Sequence, residues 1–504
     1  MAASVGSALN WWARTKGDET ALIVAEDRLT FHELHDWSSR LARRLSEDGV
    51  KPGDRVGLLS ANALAWPVAA LAIMKSGAVL VPLNARLKPA EIRKIADDAG
   101  LSLILAGNAH VAAAQAARPG GHEFGVVDFD IVEAERTGEP DDFRIDRAPE
   151  DAIAVIFTSG STGLSKGVIL TNAGLLSIVL ENTLTQDGFR PGTVTLLVLP
   201  LAFTPGLVYG LLMTTVLGGT LIVEPELNPS RAVGLIERHG VRALFGVPLI
   251  FEAMAKTPEF TEADLSSLQT AIVGGAAVPV ELLGRWADKG VLLRQIYGMT
   301  EAGGVATATL RHEALEHPGS CGIGSIFTDV RVMGEDGELR GPGEQGEIVV
   351  RGPLVTPGYW DDPTSTAQAI RDGWLHSGDL GVADESGRIT FVDRMKDLII
   401  SGGINISPVE LESAIGTLDG VDEVAVIAAS DARFGETPAA IITGTVASQE
   451  AVIAHCETLL SDYKIPRYVV LRDQPLPRLP SGKLDKRAIR AEYHDVPERF
   501  PRAR

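Results

Sequence analysis

Between residues 151 and 297 the chain alternates short apolar, β-branched runs with longer amphipathic stretches, and no other feature limits the possible folds so strongly. Residues 152–157, 196–199, 220–223, 243–246, 270–273 and 292–297 read as strands buried on both faces. Residues 175–184, 206–217, 230–239, 249–256 and 280–287 read as the helices between them. Such a β-α-β-α order forces mostly parallel pairing, because each crossover has to pass over a face of the sheet. A helix at 33–47, a strand at 55–59, a helix at 66–76 and a strand at 79–82 repeat the pattern and predict a second sheet of the same kind.

After residue 319 the texture changes to short strands punctuated by glycine, as at 347–351 and 388–391, with turns at Asp336-Gly337 and Ser386-Gly387. This predicts a β-rich subdomain over about 319–393, closing an N-terminal domain of residues 1–393. Residues 394–504 form a smaller α+β unit, with helices at 408–415 and 449–460 and strands at 423–428, 439–445 and 467–472. The expected fold class is therefore α/β: a large N-terminal domain of two stacked α/β sheets with a β-rich subdomain, then a small α+β C-terminal domain.

Charge narrows the partners. With 46 Lys plus Arg against 66 Asp plus Glu, the net charge of -20 repels phosphate backbones at long range, which argues against nucleic acid. An anionic ligand has to be captured locally instead. Cys321 and Cys456, the two cysteines, offer neither a disulfide framework nor a metal-knuckle spacing, which fits a reducing compartment. Residues 1–16 lack a basic leader followed by an apolar stretch, and no run approaches the ~18 apolar residues of a membrane span. A cytoplasmic protein with no membrane span is expected.

The sharpest local feature is Thr158-Ser159-Gly160-Ser161-Thr162-Gly163-Leu164-Ser165-Lys166-Gly167, directly after a predicted strand. Its glycines allow close backbone approach, its hydroxyls donate hydrogen bonds and its lysine adds a charge, a composition suited to a polyphosphate. The P-loop of NTPases requires Gly-Lys-Ser/Thr at its end, and here Lys166 follows Ser165. A polar hairpin of the same composition is the alternative.

Further along, in order, stand Val273-Gly274-Gly275-Ala276-Ala277-Val278-Pro279, Gln295-Ile296-Tyr297-Gly298-Met299-Thr300-Glu301 and Trp374-Leu375-His376-Ser377-Gly378-Asp379-Leu380. Asp393-Arg394-Met395-Lys396-Asp397, the run from Ser401-Gly402-Gly403 to Glu410, and Pro480-Ser481-Gly482-Lys483 complete the set. Together with the loop at 158–167 these segments resemble the signatures of the adenylate-forming superfamily, which includes acyl-CoA synthetases, peptide-synthetase adenylation domains and beetle luciferases. The resemblance runs over essentially the whole chain and is nearest to the acyl-CoA synthetases.

The resemblance implies an acid:CoA ligase that uses ATP, Mg2+ and coenzyme A. It implies nucleotide contacts from Thr158, Ser159, Gly160, Ser161, Thr162, Gly163 and Lys166 on the phosphates, from Gly274, Gly275, Ala276 and Ala277 beside the adenine, and from Tyr297, Gly298 and Met299 in the segment that meets the α-phosphate and magnesium. Thr300 would bond the α-phosphate, Glu301 would hold the metal, and Asp379 with Arg394 would hold the ribose. Lys483 would be the catalytic cation, placed where two anions meet, and Lys396 the hinge of a mobile C-terminal domain. Ser401, Gly402 and Gly403 would line the path of coenzyme A.

An acyl pocket would be built from Phe203, Leu207, Phe245, Gly246 and Val247, with the glycine and tyrosine segments already named. These side chains are apolar or small, so an apolar acid fits better than an amino acid. Two positions depart from the pattern. Ser165 replaces the usual proline before the loop lysine, and Phe203 stands where a histidine is common, which keeps an aromatic gate but removes its hydrogen bond. Three other readings stay open: a ligase performing only thioesterification of a supplied adenylate, an adenylating enzyme that loads a carrier protein, and a nucleotide-binding sensor without turnover. A homodimer is compatible with all of them.

Overall fold

The computed structural model describes residues 3–159, 165–401, 404–446, 448–479 and 483–504. It divides into a larger unit, Met1–Val330 with Val349–His376, and a smaller one, Arg331–Ile348 with Ser377–Arg504.

Among the described residues of the larger unit, the parallel strands Leu293–Tyr297, Thr270–Gly274, Ala243–Gly246, Val194–Leu197, Thr220–Val223 and Thr20–Val24 lie side by side in that order. Antiparallel edges, Thr307–Ala308 at one side and Asp27–Thr30 at the other, extend this to an eight-stranded sheet. The central strands are fully buried, and helices Pro229–His239, Pro248–Ala255 and Val280–Asp288 pack on them through Leu235, Phe251 and Trp286. The expected parallel sheet is thus present for five of its six predicted strands, two of them matching residue for residue at Thr220–Val223 and Ala243–Gly246, while the strand predicted at 152–157 joins the other sheet.

The second expected sheet is also present, in the order Gly125–Asp128, Leu101–Ala106, Arg55–Leu59, Val79–Leu83, Ala152–Ser159, Ser165–Thr171. Its first five strands are parallel and its last is antiparallel. The helix predicted at 206–217 begins as a π-helical segment, Pro205–Leu212, before tightening into Met213–Val216. Buried against the helix Phe31–Glu47, Lys75 donates to the carbonyl of His35 and to the hydroxyls of Ser38 and Ser39 at 2.8–2.9 Å.

In the smaller unit Gly435–Gly444 pairs antiparallel with Val421–Asp431 along one edge, and along its other edge with Tyr468–Arg472 and, at Gly435, with Ile399–Ser401, which Ile404–Ile406 extends. Helices Pro408–Ile415 and Gln449–Leu459 cover one face through Leu411, Ile415, Val452 and Cys456. No helix among the described residues is long and apolar enough to cross a membrane.

Candidate active site

Three neighbouring parallel strands of the larger unit end together. Gly246 lies beside Val273, and Gly274 beside Ile296, so the residues that follow each strand emerge in one row. The carboxyl ends of parallel strands form the crevice in which α/β sheets bind ligands. Val247 leaves the first strand, Gly275, Ala276 and Ala277 leave the second at an exposed turn, and Gly298, Met299, Thr300 and Glu301 leave the third. A side chain at Gly298 would stand 2.2 Å from the carbonyl oxygen of Gly304, so only glycine lets the chain double back here.

That doubling-back is the single turn Thr300–Ala302, which tucks Glu301 inward until it is 8% exposed. The Tyr359 hydroxyl donates to Glu301 Oε1 at 2.9 Å, and the Thr356 amide donates to the Glu301 carbonyl at 2.8 Å. Thr300 Oγ1 lies 2.9 Å from Thr204 Oγ1, which joins the turn to the segment that carries Phe203 and Leu207. Phe203 is half-buried and Leu207 fully buried. Phe245 packs between two other rings, 5.0 Å from Tyr209 and 5.5 Å from Phe189, and the Tyr209 hydroxyl donates to the Gly303 carbonyl at 3.1 Å.

The phosphate-loop segment is flanked by two antiparallel strands, with Thr158 opposite Lys166 and Ser159 opposite Ser165. Gly160, Ser161, Thr162 and Gly163 lie outside the described residues. The Thr158 hydroxyl donates to the Lys166 carbonyl at 3.4 Å, and Lys166 Nζ sits 4.9 Å from the centre of the Tyr359 ring.

The smaller unit holds a second cluster. Asp379 and Arg394 face each other across an antiparallel ladder, Arg394 Nε 3.5 Å from Asp379 Oδ1. Their charges also reach Lys483. Desolvation first, and the Arg394 guanidinium second, hold the Lys483 ammonium below its ordinary pKa while Asp379 opposes them, although much of the lysine's length stays exposed. A backbone bond from Leu479 N to Lys483 O at 2.8 Å fixes where the lysine leaves its loop. The neighbouring Asp393 is buried, and one of its carboxylate oxygens accepts from Ser407 Oγ at 2.5 Å and from Val409 N at 3.0 Å. It therefore ties the start of helix Pro408–Ile415 to strand Ile389–Arg394. Lys396 lies in the turn Met395–Asp397, where Asp397 pairs with Arg490 at 2.9 Å. Ser401 ends a strand opposite Ile404 and Gly435, while Gly402 and Gly403 are outside the described residues.

Sequence reasoning left out Tyr359, Thr204 and Tyr209 as partners of these groups. Tyr359 stands 58 positions from Glu301, and an aromatic pair after a glycine has no spacing that announces such a contact.

Comparison with known proteins decides the family. Residues 9–360 match the AMP-binding enzyme family and residues 410–483 the AMP-binding enzyme C-terminal domain. The chain belongs to the AMP-binding enzyme family. It is an acid:CoA ligase of the AMP-forming type, an acyl-CoA synthetase. A feruloyl-CoA synthase of an Amycolatopsis species is 38% identical over 95% of this ligase and 97% of its own length. A long-chain-fatty-acid–CoA ligase of Mycobacterium tuberculosis is 34% identical over 92% of the ligase and 93% of its own length. Among solved structures, an o-succinylbenzoate CoA synthetase of Bacillus subtilis, in complex with its acyl-adenylate intermediate, superposes with a TM-score of 0.87 at 28% identity. That match covers 96% of the ligase and 97% of the other chain.

Proposed function

We propose that the ligase carries out both half-reactions on an apolar carboxylic acid, with Mg2+ accompanying the nucleotide, and that the C-terminal domain turns about Lys396 between them. The observation that carries this reading is the row of loops at the carboxyl ends of three parallel strands, which sets small and apolar residues beside Thr300 and Glu301.

Glu301 suits the metal. One carboxylate oxygen is engaged by Tyr359, and among the described residues no donor meets the other. Mg2+ is commonly held by one or two carboxylates and completed by phosphate oxygens and water. When bound, it would neutralise charge on the triphosphate. Thr300 would donate to a nonbridging α-phosphate oxygen, while Asp379 would accept from the ribose hydroxyls with Arg394 beside it. A carboxylate oxygen of the acid then attacks the α-phosphorus as the bond to pyrophosphate breaks. Lys483 would stabilise the charge gathering on the phosphorus oxygens.

For the second half-reaction the lysine withdraws and Ser401, Gly402 and Gly403 line the approach of coenzyme A. Its sulfur bonds the acyl carbon, the carbon–oxygen bond to AMP breaks, and the thiol proton passes to solvent. The apolar acid is supported by Phe203, Leu207 and Val247, which offer no charge to read an amino group.

The test is to incubate the protein with ATP, Mg2+, CoA and a pooled panel of aliphatic, aromatic and polycyclic acids, reading acyl-CoA and AMP by mass spectrometry. An acyl-CoA formed with equal AMP is the expected outcome; conversion of amino acids alone would overturn the apolar-acid reading. Phe203, which has no hydrogen bond to give the incoming acid, favours one second reading, a ligase limited to thioesterification. Turnover of synthetic acyl-adenylates, with no pyrophosphate exchange from the free acids, would select it.

A further inference from the structure

The segment from Thr356 to Trp360 touches both halves of the expected triphosphate site. On one side it braces the strand that leaves the phosphate loop. The Trp360 amide donates to the Gly167 carbonyl at 2.7 Å, the Ile169 amide to the Gly358 carbonyl at 3.2 Å, and Tyr359 forms an antiparallel bridge with Val168. On the other side the Thr356 amide holds the Glu301 carbonyl at 2.8 Å. A further bond, from the Tyr359 amide to Thr366 Oγ1 at 2.9 Å, anchors the segment from behind.

The Tyr359 side chain joins the same two halves through charge. Its hydroxyl donates to Glu301 Oε1 at 2.9 Å, while Lys166 Nζ rests 4.9 Å above its ring. A phenol can serve both groups at once because the hydroxyl lies in the ring plane and the electron-rich faces lie above and below it. Lys166 and Glu301 carry opposite charges, and among the described residues they form no ion pair with each other. Direct pairing would occupy the lysine that phosphate needs and the carboxylate that a cation needs.

We propose that Tyr359 is a positioning residue that keeps Lys166 and Glu301 apart and aimed, the lysine held on the ring for phosphate and the carboxylate fixed with one oxygen free for the metal. The proposal rests on the reading of Glu301 as the metal-holding group. It assigns two separable tasks to one side chain. The hydroxyl fixes the carboxylate, and the ring holds the ammonium.

The experiment measures ATP affinity by calorimetry, with and without Mn2+ as the probe, for the full-length protein and for Tyr359→Phe, Tyr359→Leu and Glu301→Gln, each checked for an unchanged thermal transition. Tyr359→Phe keeps the ring and is expected to leave metal-free ATP binding within about twofold while reducing the strengthening by Mn2+ about tenfold, the scale of one hydrogen bond to a charged group. Tyr359→Leu is expected to weaken metal-free binding as well, since the lysine is then free to pair with Glu301. Wild-type metal dependence in Tyr359→Phe, or equal loss of metal-free and metal-dependent binding, would overturn the proposal. Glu301→Gln separates the two readings. If it leaves the Mn2+ effect intact, the assignment of the metal to Glu301 fails; if it abolishes the effect and Tyr359→Phe does not reduce it, only the role of Tyr359 falls.

Discussion

Lys75 shows how one residue sets a pH dependence far from any chemistry. The residue is 3% exposed, its ammonium has three oxygen partners, none of them a carboxylate, and burial brings its pKa down to about 7. In the unfolded chain the same group titrates near ~10.4, so between the two values the unfolded state binds more protons. Stability therefore rises with pH across that window and is lost as pH falls back toward 7. The slope is at most about 1.4 kcal/mol per pH unit. In Lys75→Met this part of the slope should vanish, which urea unfolding of both proteins at several pH values from neutral to alkaline will measure. The sequence offered no hint, because a lysine in an apolar run reads equally well as a side chain reaching out to water.

At the scale of elements, the segment Pro205–Leu212 shows what periodicity conveys and what it hides. Its apolar run was legible as helix, but the π-helical winding was not, since the same side chains suit either winding. The winding carries Thr204 to Thr300 and seats Tyr209 under Gly303. Gly206 permits it, because a Cβ there would stand 2.2 Å from the Pro200 carbonyl oxygen and 2.8 Å from the Leu201 Cα. Neither atom is the end of a flexible chain. Gly206→Ala should cost about 1–3 kcal/mol of stability in urea unfolding and should lower pyrophosphate exchange by displacing Thr204 from Thr300. Strands such as Ala243–Gly246 were readable because burial on both faces leaves an unbroken apolar run. The strand Ser165–Thr171 was hidden, its opening residues belonging by composition to the polar loop before it.

For the whole molecule, the motifs showed which residues matter, and the fold divides them between two bodies. Thr300 and Glu301 belong to the larger unit, while Asp379, Arg394 and Lys483 belong to the smaller. The contacts that hold these groups in place were less legible: Tyr359, 58 positions from Glu301, belongs to none of the motifs, and although Asp393 and Ser407 both stand in motif segments, nothing in those segments says that they bond. If Lys483 serves adenylation alone, Lys483→Ala should reduce pyrophosphate exchange about 100-fold or more while turnover of a supplied acyl-adenylate with CoA changes little. Stopped-flow or quench assays of the two half-reactions will show the split, and equal loss of both would count against a lysine that withdraws between steps.

The ladder that sets Arg394 opposite Asp379 is closed by the short turn between Ala383 and Ile389. Between that turn and the pair the ladder slips by one residue, Gly381 lying opposite Phe391 but Leu380 opposite Asp393, so Val392 is extra on its strand and brings Arg394 rather than Asp393 opposite Asp379. An even ladder would set one carboxylate against another there, so a single extra residue decides whether the facing pair attracts or repels.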